Sequence, residues 1–65
     1  MYILVNGKQQ VLDADTLAQA MTELGFNGTG VATALNGEFV PASGRSEQTL
    51  TDGDRLEIVA PLQGG

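Results

Sequence analysis

Two Asn-Gly dipeptides, Asn6-Gly7 and Asn36-Gly37, constrain this chain more than any other feature. Both residue types tolerate the positive φ that a type I′ turn requires, so Asn-Gly between strand-like runs predicts a two-residue hairpin loop. Both dipeptides are flanked that way. Tyr2-Ile3-Leu4-Val5 leads into the first, and Lys8-Gln9-Gln10-Val11-Leu12 leads out. Val31-Ala32-Thr33-Ala34-Leu35 leads into the second, and Glu38-Phe39-Val40 leads out. Pro41 has no N–H and ends that ladder. The first run is apolar on both faces, which predicts a place inside a sheet. The second run is polar at its start, as suits an edge strand.

One helix is predicted between the hairpins. Thr16 followed by Gln19 fits a capping box, in which the hydroxyl accepts from the backbone N–H three residues on. Asp13 and Asp15 suit the positive end of the helix dipole. Leu17, Ala20, Met21 and Leu24 then form one apolar stripe at helical spacing. Gly25 stands where a left-handed C-cap needs it, and Phe26 can fold back on the last turn. The helix is expected to run about 8–9 residues, ~12–14 Å at 1.5 Å each, and to cover one face of a sheet.

Leu50-Thr51-Asp52-Gly53-Asp54 reads as a turn into a last strand, Arg55 to Ala60. There Leu56, Ile58 and Ala60 fall on one face, assigned to the core, and Arg55, Glu57 and Val59 on the other. The order is β-β-α-β-β-β. The first and last strands are both strongly apolar, so they are expected side by side, parallel, at the sheet centre. The fold class is therefore α+β, a mixed sheet of four to five strands with one helix on one face. The polar segment Ala42 to Thr49 is expected to be the least ordered part. Residues 1–60 form the domain, and Pro61 should release residues 61–65 as a flexible tail.

Composition excludes several functions. The 65 residues carry a net charge of −5 and include no Cys, no His and one Lys. A nucleic-acid binder needs a basic footprint, so none is expected; an acidic chain favours a partner with a positive docking surface. Without Cys there are no disulfides or thiolate metal sites, and packing must carry a small core. Asp52 and Asp54 lack the spacing of a calcium loop, so they read as turn residues and no metal is expected. Asn27-Gly28-Thr29-Gly30 lacks the spacing of a phosphate-binding loop. Lys8 and Arg45 read as solvated surface, with a role in steering docking as the alternative. No run reaches the ~20 apolar residues of a membrane span, and no signal peptide is visible. A soluble cytoplasmic protein, monomeric when free, is expected.

With nucleophilic and metal-ligating side chains so scarce, the reactive group left is the main-chain carboxylate of Gly65. Glycine lacks Cβ, so Gly64 and Gly65 can enter a slot where a side chain would clash. Five extended residues reach roughly 17 Å, enough to place Gly65 in a partner's active site while the body stays outside. Val59 and Leu62, apolar near the exit, are candidate docking anchors, and Gln63 and Gly64 would thread the slot. Taken alone, a closing Gly-Gly also fits an incidental end.

In combination, these residues resemble the ubiquitin-like β-grasp family, and within it the bacterial thiamin-pathway sulfur carriers of ThiS type. The likeness rests on Met1 to Gly7, Thr16-Leu17 opening the helix, Val31 to Pro41, the run Leu50 to Val59 around Asp52-Gly53-Asp54, and the closing Gly64-Gly65. It covers essentially the whole chain. One departure is visible: many members follow the Val-Pro of the fourth strand with Arg and then an aromatic residue. Here Pro41 leads to Ala42-Ser43-Gly44-Arg45, and the chain has no Trp.

The resemblance implies a sulfur carrier that is a co-substrate and no enzyme. Its Gly65 carboxylate would be adenylated by an E1-like adenylyltransferase using ATP and Mg²⁺, with no cofactor bound to the carrier itself. A sulfur donor fed by a cysteine desulfurase would convert the adenylate to a thiocarboxylate. Thiazole synthase would take the sulfur for the thiazole ring of thiamin. The alternatives at this point are a carrier for molybdopterin synthesis or tRNA thiolation, a plain β-grasp binding module, and a ubiquitin-like protein modifier.

Overall fold

The computed structural model describes residues 1–27 and 30–60. Expectations for Gly28, Thr29 and residues 61–65, including the release of the chain at Pro61, lie outside the described residues. The elements are β1 (Tyr2–Val5), β2 (Lys8–Val11), α1 (Leu17–Glu23), β3 (Ala32–Leu35), β4 (Glu38–Val40), a 3₁₀ turn at Ala42–Gly44, and β5 (Arg55–Val59).

Both hairpins form where the dipeptides stand. Asn6 and Asn36 have φ of 51° and 52°, and Gly7 and Gly37 have φ of 83° and 86°. The turns set register, and in β1–β2 Tyr2 lies opposite Val11 and Val5 opposite Lys8. In β3–β4, Thr33 lies opposite Val40 and Leu35 opposite Glu38. The five strands order as β2-β1-β5-β3-β4. β1 and β5 pair in parallel, and β5 pairs antiparallel with β3. β5 is thus the centre of the sheet, and β2 and β4 are its edges. This is the expected β-grasp arrangement. Residues 6 to 54 supply the long crossover that parallel neighbours need.

The helix starts on a full capping box. Thr16 Oγ1 accepts from the Gln19 N–H at 3.3 Å, and Gln19 Oε1 accepts from the Thr16 N–H at 3.3 Å and the Asp15 N–H at 2.9 Å. Asp13 and Asp15 precede the cap, and the first turn holds no acid. At the other end Gly25 takes φ of 93°. Its N–H donates to Thr22 C=O at 3.1 Å, and the Phe26 N–H reaches back to Met21 C=O at 2.8 Å. That pairing is a Schellman motif, and it satisfies carbonyls the helix leaves open. The helix is seven residues long, shorter than expected because Leu24 serves as the C-cap.

Leu17, Ala20 and Met21 are buried against Ile3, Val5, Leu35, Leu56 and Ile58 of the sheet, with Leu24 packed at the margin. Each large apolar side chain so buried contributes about 1.5–3 kcal/mol. Among the described residues no helix is long and apolar enough to cross a membrane.

Two expectations need correction. Arg45 is not solvated: only 5% of its surface is exposed. Its Nε donates to Thr33 Oγ1 at 3.0 Å and its Nη2 to Val31 C=O at 2.7 Å. Thr33 Oγ1 in turn donates to Val40 C=O at 2.7 Å. A buried guanidinium needs such acceptors, because stripping water from a charge is costly. The segment Ala42 to Thr49 is therefore tied down through Arg45, and by a bridge between Thr49 and Thr16, although its composition is polar. The second correction is Ala60, which lies beyond the end of β5 and is exposed instead of filling the core.

Candidate functional site

The site is built on the end of β5. Strand alternation buries Leu56 and Ile58 under the helix and turns Arg55, Glu57 and Val59 to the open face. Val59 is 59% exposed and pairs with Ala32 across β3. Gly30, Val31, Ala32 and Val59 line a shallow hollow beside the point where the chain leaves the sheet. Of the residues the sequence nominates, Val59 stands where expected. Leu62, Gln63, Gly64 and Gly65 lie outside the described residues.

One residue of this surface escaped the sequence reading. Phe39 is 69% exposed. It pairs with Ala34, which pairs with Glu57 on β5. Paired residues share a face, so Phe39, Ala34, Ala32 and Val59 make one apolar flank of the open sheet. The signal was present in the sequence. In a three-residue strand with Val40 facing the core, period-two alternation sends Phe39 outward. At the far edge Val11 and Tyr2 extend the same open face.

The end of β5 is held on both sides. On the β3 side Val59 meets Ala32. On the β1 side the strand has already turned at Asn6, and the Asn6 carboxamide takes over. Its Oδ1 accepts from the Ile58 N–H at 2.9 Å, and its Nδ2 donates to the Ile58 C=O at 3.1 Å. At the start of β5, Asn36 Oδ1 accepts from the Arg55 N–H at 2.9 Å, and its Nδ2 donates to Asp54 Oδ1 at 3.0 Å.

Asp52 and Asp54 are turn residues. Asp52 Oδ1 accepts from the Tyr2 N–H at 2.9 Å, and Asp54 Oδ2 from the Thr51 N–H at 2.8 Å. Asp52 thus ties the turn to the start of β1, and Asp54 closes the turn itself, with Gly53 between them at φ of 86°.

The chain matches the ThiS family over residues 3–65. A relative from Thermus thermophilus, named sulfur carrier protein ThiS, is 36% identical over 63 residues, covering 97% of this chain and 98% of that protein. A protein of Paramagnetospirillum magneticum, named thiazole synthase, is 38% identical over 66 residues; the match takes in all of this chain but spans 20% of that protein. Among solved structures, the crystal structure of a thiamine biosynthesis protein (ThiS) from Geobacter metallireducens superposes with a TM-score of 0.82 at 29% identity, covering 100% of both chains. A solution structure of a thiamine biosynthesis protein from the same organism gives a TM-score of 0.78 at 28% identity, covering 100% of this chain and 88% of that one. Matched over nearly its whole length in sequence and carrying the same β-grasp architecture, the chain belongs to the ThiS family.

Proposed function

We propose that this chain is a sulfur carrier for thiamin biosynthesis and that the Gly65 carboxylate is the group that carries the sulfur. The observation behind this is the family match, which runs from residue 3 through the closing Gly64-Gly65. The chain acts as a co-substrate of partner enzymes. An α-carboxylate has a reference pKa of about 3.3–3.7 and is ionised at neutral pH. It is a poor acyl donor until one oxygen becomes a leaving group. An E1-like adenylyltransferase, with ATP and Mg²⁺, lets that oxygen attack the α-phosphate, releasing pyrophosphate and forming an acyl-adenylate. The terminal sulfur of a persulfide, loaded through a cysteine desulfurase, then attacks the acyl carbon and expels AMP. A thiol of the sulfur-donating partner cleaves the resulting acyl disulfide, leaving the thiocarboxylate and a disulfide on that partner. This takes place in the cytoplasm.

The recipient is a thiazole synthase. A segment similar to this entire chain makes up a fifth of the length of the Paramagnetospirillum magneticum protein of that name. Such a joining of carrier-like and synthase sequence in one polypeptide supports a working pair. Nothing favours the molybdopterin, tRNA-thiolation, binding-module or protein-modifier alternatives in the same way. The apolar flank of Val59, Ala32 and Phe39 offers the body a docking surface, and Leu62, three residues on from Val59 in the sequence, is a further anchor. An exposed apolar patch of this kind on a small domain marks a partner contact. Gln63 and Gly64 thread the partner's slot.

The test is intact mass after incubation with the cognate activating enzyme, ATP and a sulfur source. A mass gain equal to one oxygen exchanged for one sulfur is expected, and it should vanish when Gly65 is deleted. Failure to see that gain, while an established carrier is converted in parallel, rules the proposal out.

A further inference from the structure

We infer that Asn6 is a positioning residue for the sulfur-bearing tail, its carboxamide acting as a substitute strand residue that holds β5 in line up to the exit. The inference rests on the sulfur-carrier reading above.

The hydrogen-bond pattern makes the case. In the parallel ladder, the Leu4 N–H donates to Asp54 C=O and the Asn6 N–H donates to Leu56 C=O, each at 2.9 Å. Continuing that ladder would require the Asn6 main-chain carbonyl to accept from the Ile58 N–H, and the next strand N–H to donate to the Ile58 C=O. Neither is possible by main chain, because Asn6 has turned to φ of 51°. Its side-chain Oδ1 accepts in place of the first group, and Nδ2 donates in place of the second. One carboxamide thus replaces the peptide unit that the turn removed, and β1 reaches one step further along β5 than its backbone does.

Ile58 is almost fully buried, with 6% exposure. Its peptide groups need partners, because unpaired polar groups in an interior are costly. The next residue, Val59, is held by Ala32 from the other side, and Ala60 follows. With Asn6 in place, β5 is clamped from both flanks through its last two residues. Without it, one flank remains, and the direction in which the chain leaves at Ala60 is less defined. A partner that must accept a narrow tail then meets a less preorganised substrate, which weakens productive binding.

Asn36 is an internal control. It has the same turn, the same φ and the same side-chain bond to a β5 N–H, at Arg55. That bond lies at the start of β5, away from the exit. Asn6→Gly and Asn36→Gly each keep a residue that accepts positive φ and remove only the carboxamide.

The experiment measures initial rates of ATP-dependent thiocarboxylate formation against carrier concentration, below the melting transitions of all variants. Asn6→Gly is expected to lower kcat/KM about tenfold, chiefly through KM, and Asn36→Gly by no more than about twofold. By NMR, Ile58 amide exchange should accelerate in Asn6→Gly and not in Asn36→Gly. If Asn6→Gly does not fold, Asn6→Asp against wild type makes the test, since Asp suits the turn but, ionised, cannot donate to the Ile58 C=O, and unchanged kinetics in Asn6→Asp overturn the role of Asn6. Equal kinetics for the Asn6 and Asn36 variants, with wild type converted normally, overturn the role of Asn6 alone. A wild type that is never converted overturns the sulfur-carrier reading and this inference with it.

Discussion

The two hairpins share a dipeptide and a turn geometry, yet they bear different loads. In both, Asn supplies a positive φ and then bends its carboxamide onto β5. The first hairpin spends that carboxamide on both peptide groups of buried Ile58. The second spends it on the Arg55 N–H and the Asp54 carboxylate, at exposed or half-exposed positions. The second hairpin takes its anchorage from elsewhere. Thr33 links Val40 to Arg45, and Arg45 reaches on to Val31. One local motif therefore does two structural jobs, and the difference comes from which part of β5 the turn meets.

Leu56 joins the hairpins, lying opposite Val5 on one side and Leu35 on the other. It is fully buried. Leu56→Ala should lower stability by about 2–5 kcal/mol, a large share of what a domain this small has. A denaturation midpoint close to wild type would show that the hairpins do not depend on a common joint.

Thr33→Val tests the second hairpin's anchorage. The shapes are similar, but Val40 C=O loses the hydroxyl donor that adds to its ladder pairing with Thr33, and the Arg45 Nε loses an acceptor in a buried place. The expected loss is about 2–3 kcal/mol by chemical denaturation. An unchanged midpoint would mean that the Arg45 tether contributes little and that the two hairpins carry similar loads.

Asn6→Gly should cost about 1–2 kcal/mol, because it strips partners from buried peptide groups. Asn36→Gly should cost less than about 1 kcal/mol, since water can replace the bonds it loses. Parallel melts of the two variants give the contrast directly. If they fall equally, burial at Ile58 is not what separates the hairpins.

The smallest effect belongs to Phe39. Its side chain faces the open side, so Phe39→Ser should shift stability by less than about 0.5 kcal/mol. A drop as large as that of Thr33→Val would place Phe39 in the structural load of the second hairpin and remove it from the docking flank.

Much of this was legible from short-range chemistry. Asn-Gly turns, the Thr16–Gln19 box, the Gly25 cap and the alternation of Leu56, Ile58 and Val59 all depend on residues within a few positions of one another. The parallel pairing of β1 with β5 followed from two apolar runs and a crossover long enough to join them. Phe39 was legible in principle and needed only its register against Val40. Arg45 was not, because an isolated Arg in a polar segment carries no local mark of burial. Its acceptors, Thr33 and Val31, are 12 and 14 residues away.

The sequence by itself determined the element order, both turns, the helix limits to within about one residue, and the family resemblance that points to Gly65. These are set by backbone sterics and by hydrogen bonds between near neighbours. Only the tertiary structure decided that Arg45 is an interior tie and that Ala60 falls outside the core. It also decided that the two Asn side chains serve β5. Asn6 and Ile58 are 52 positions apart, so their bond forms only after the crossover has brought β1 beside β5, and nothing local to either residue specifies it.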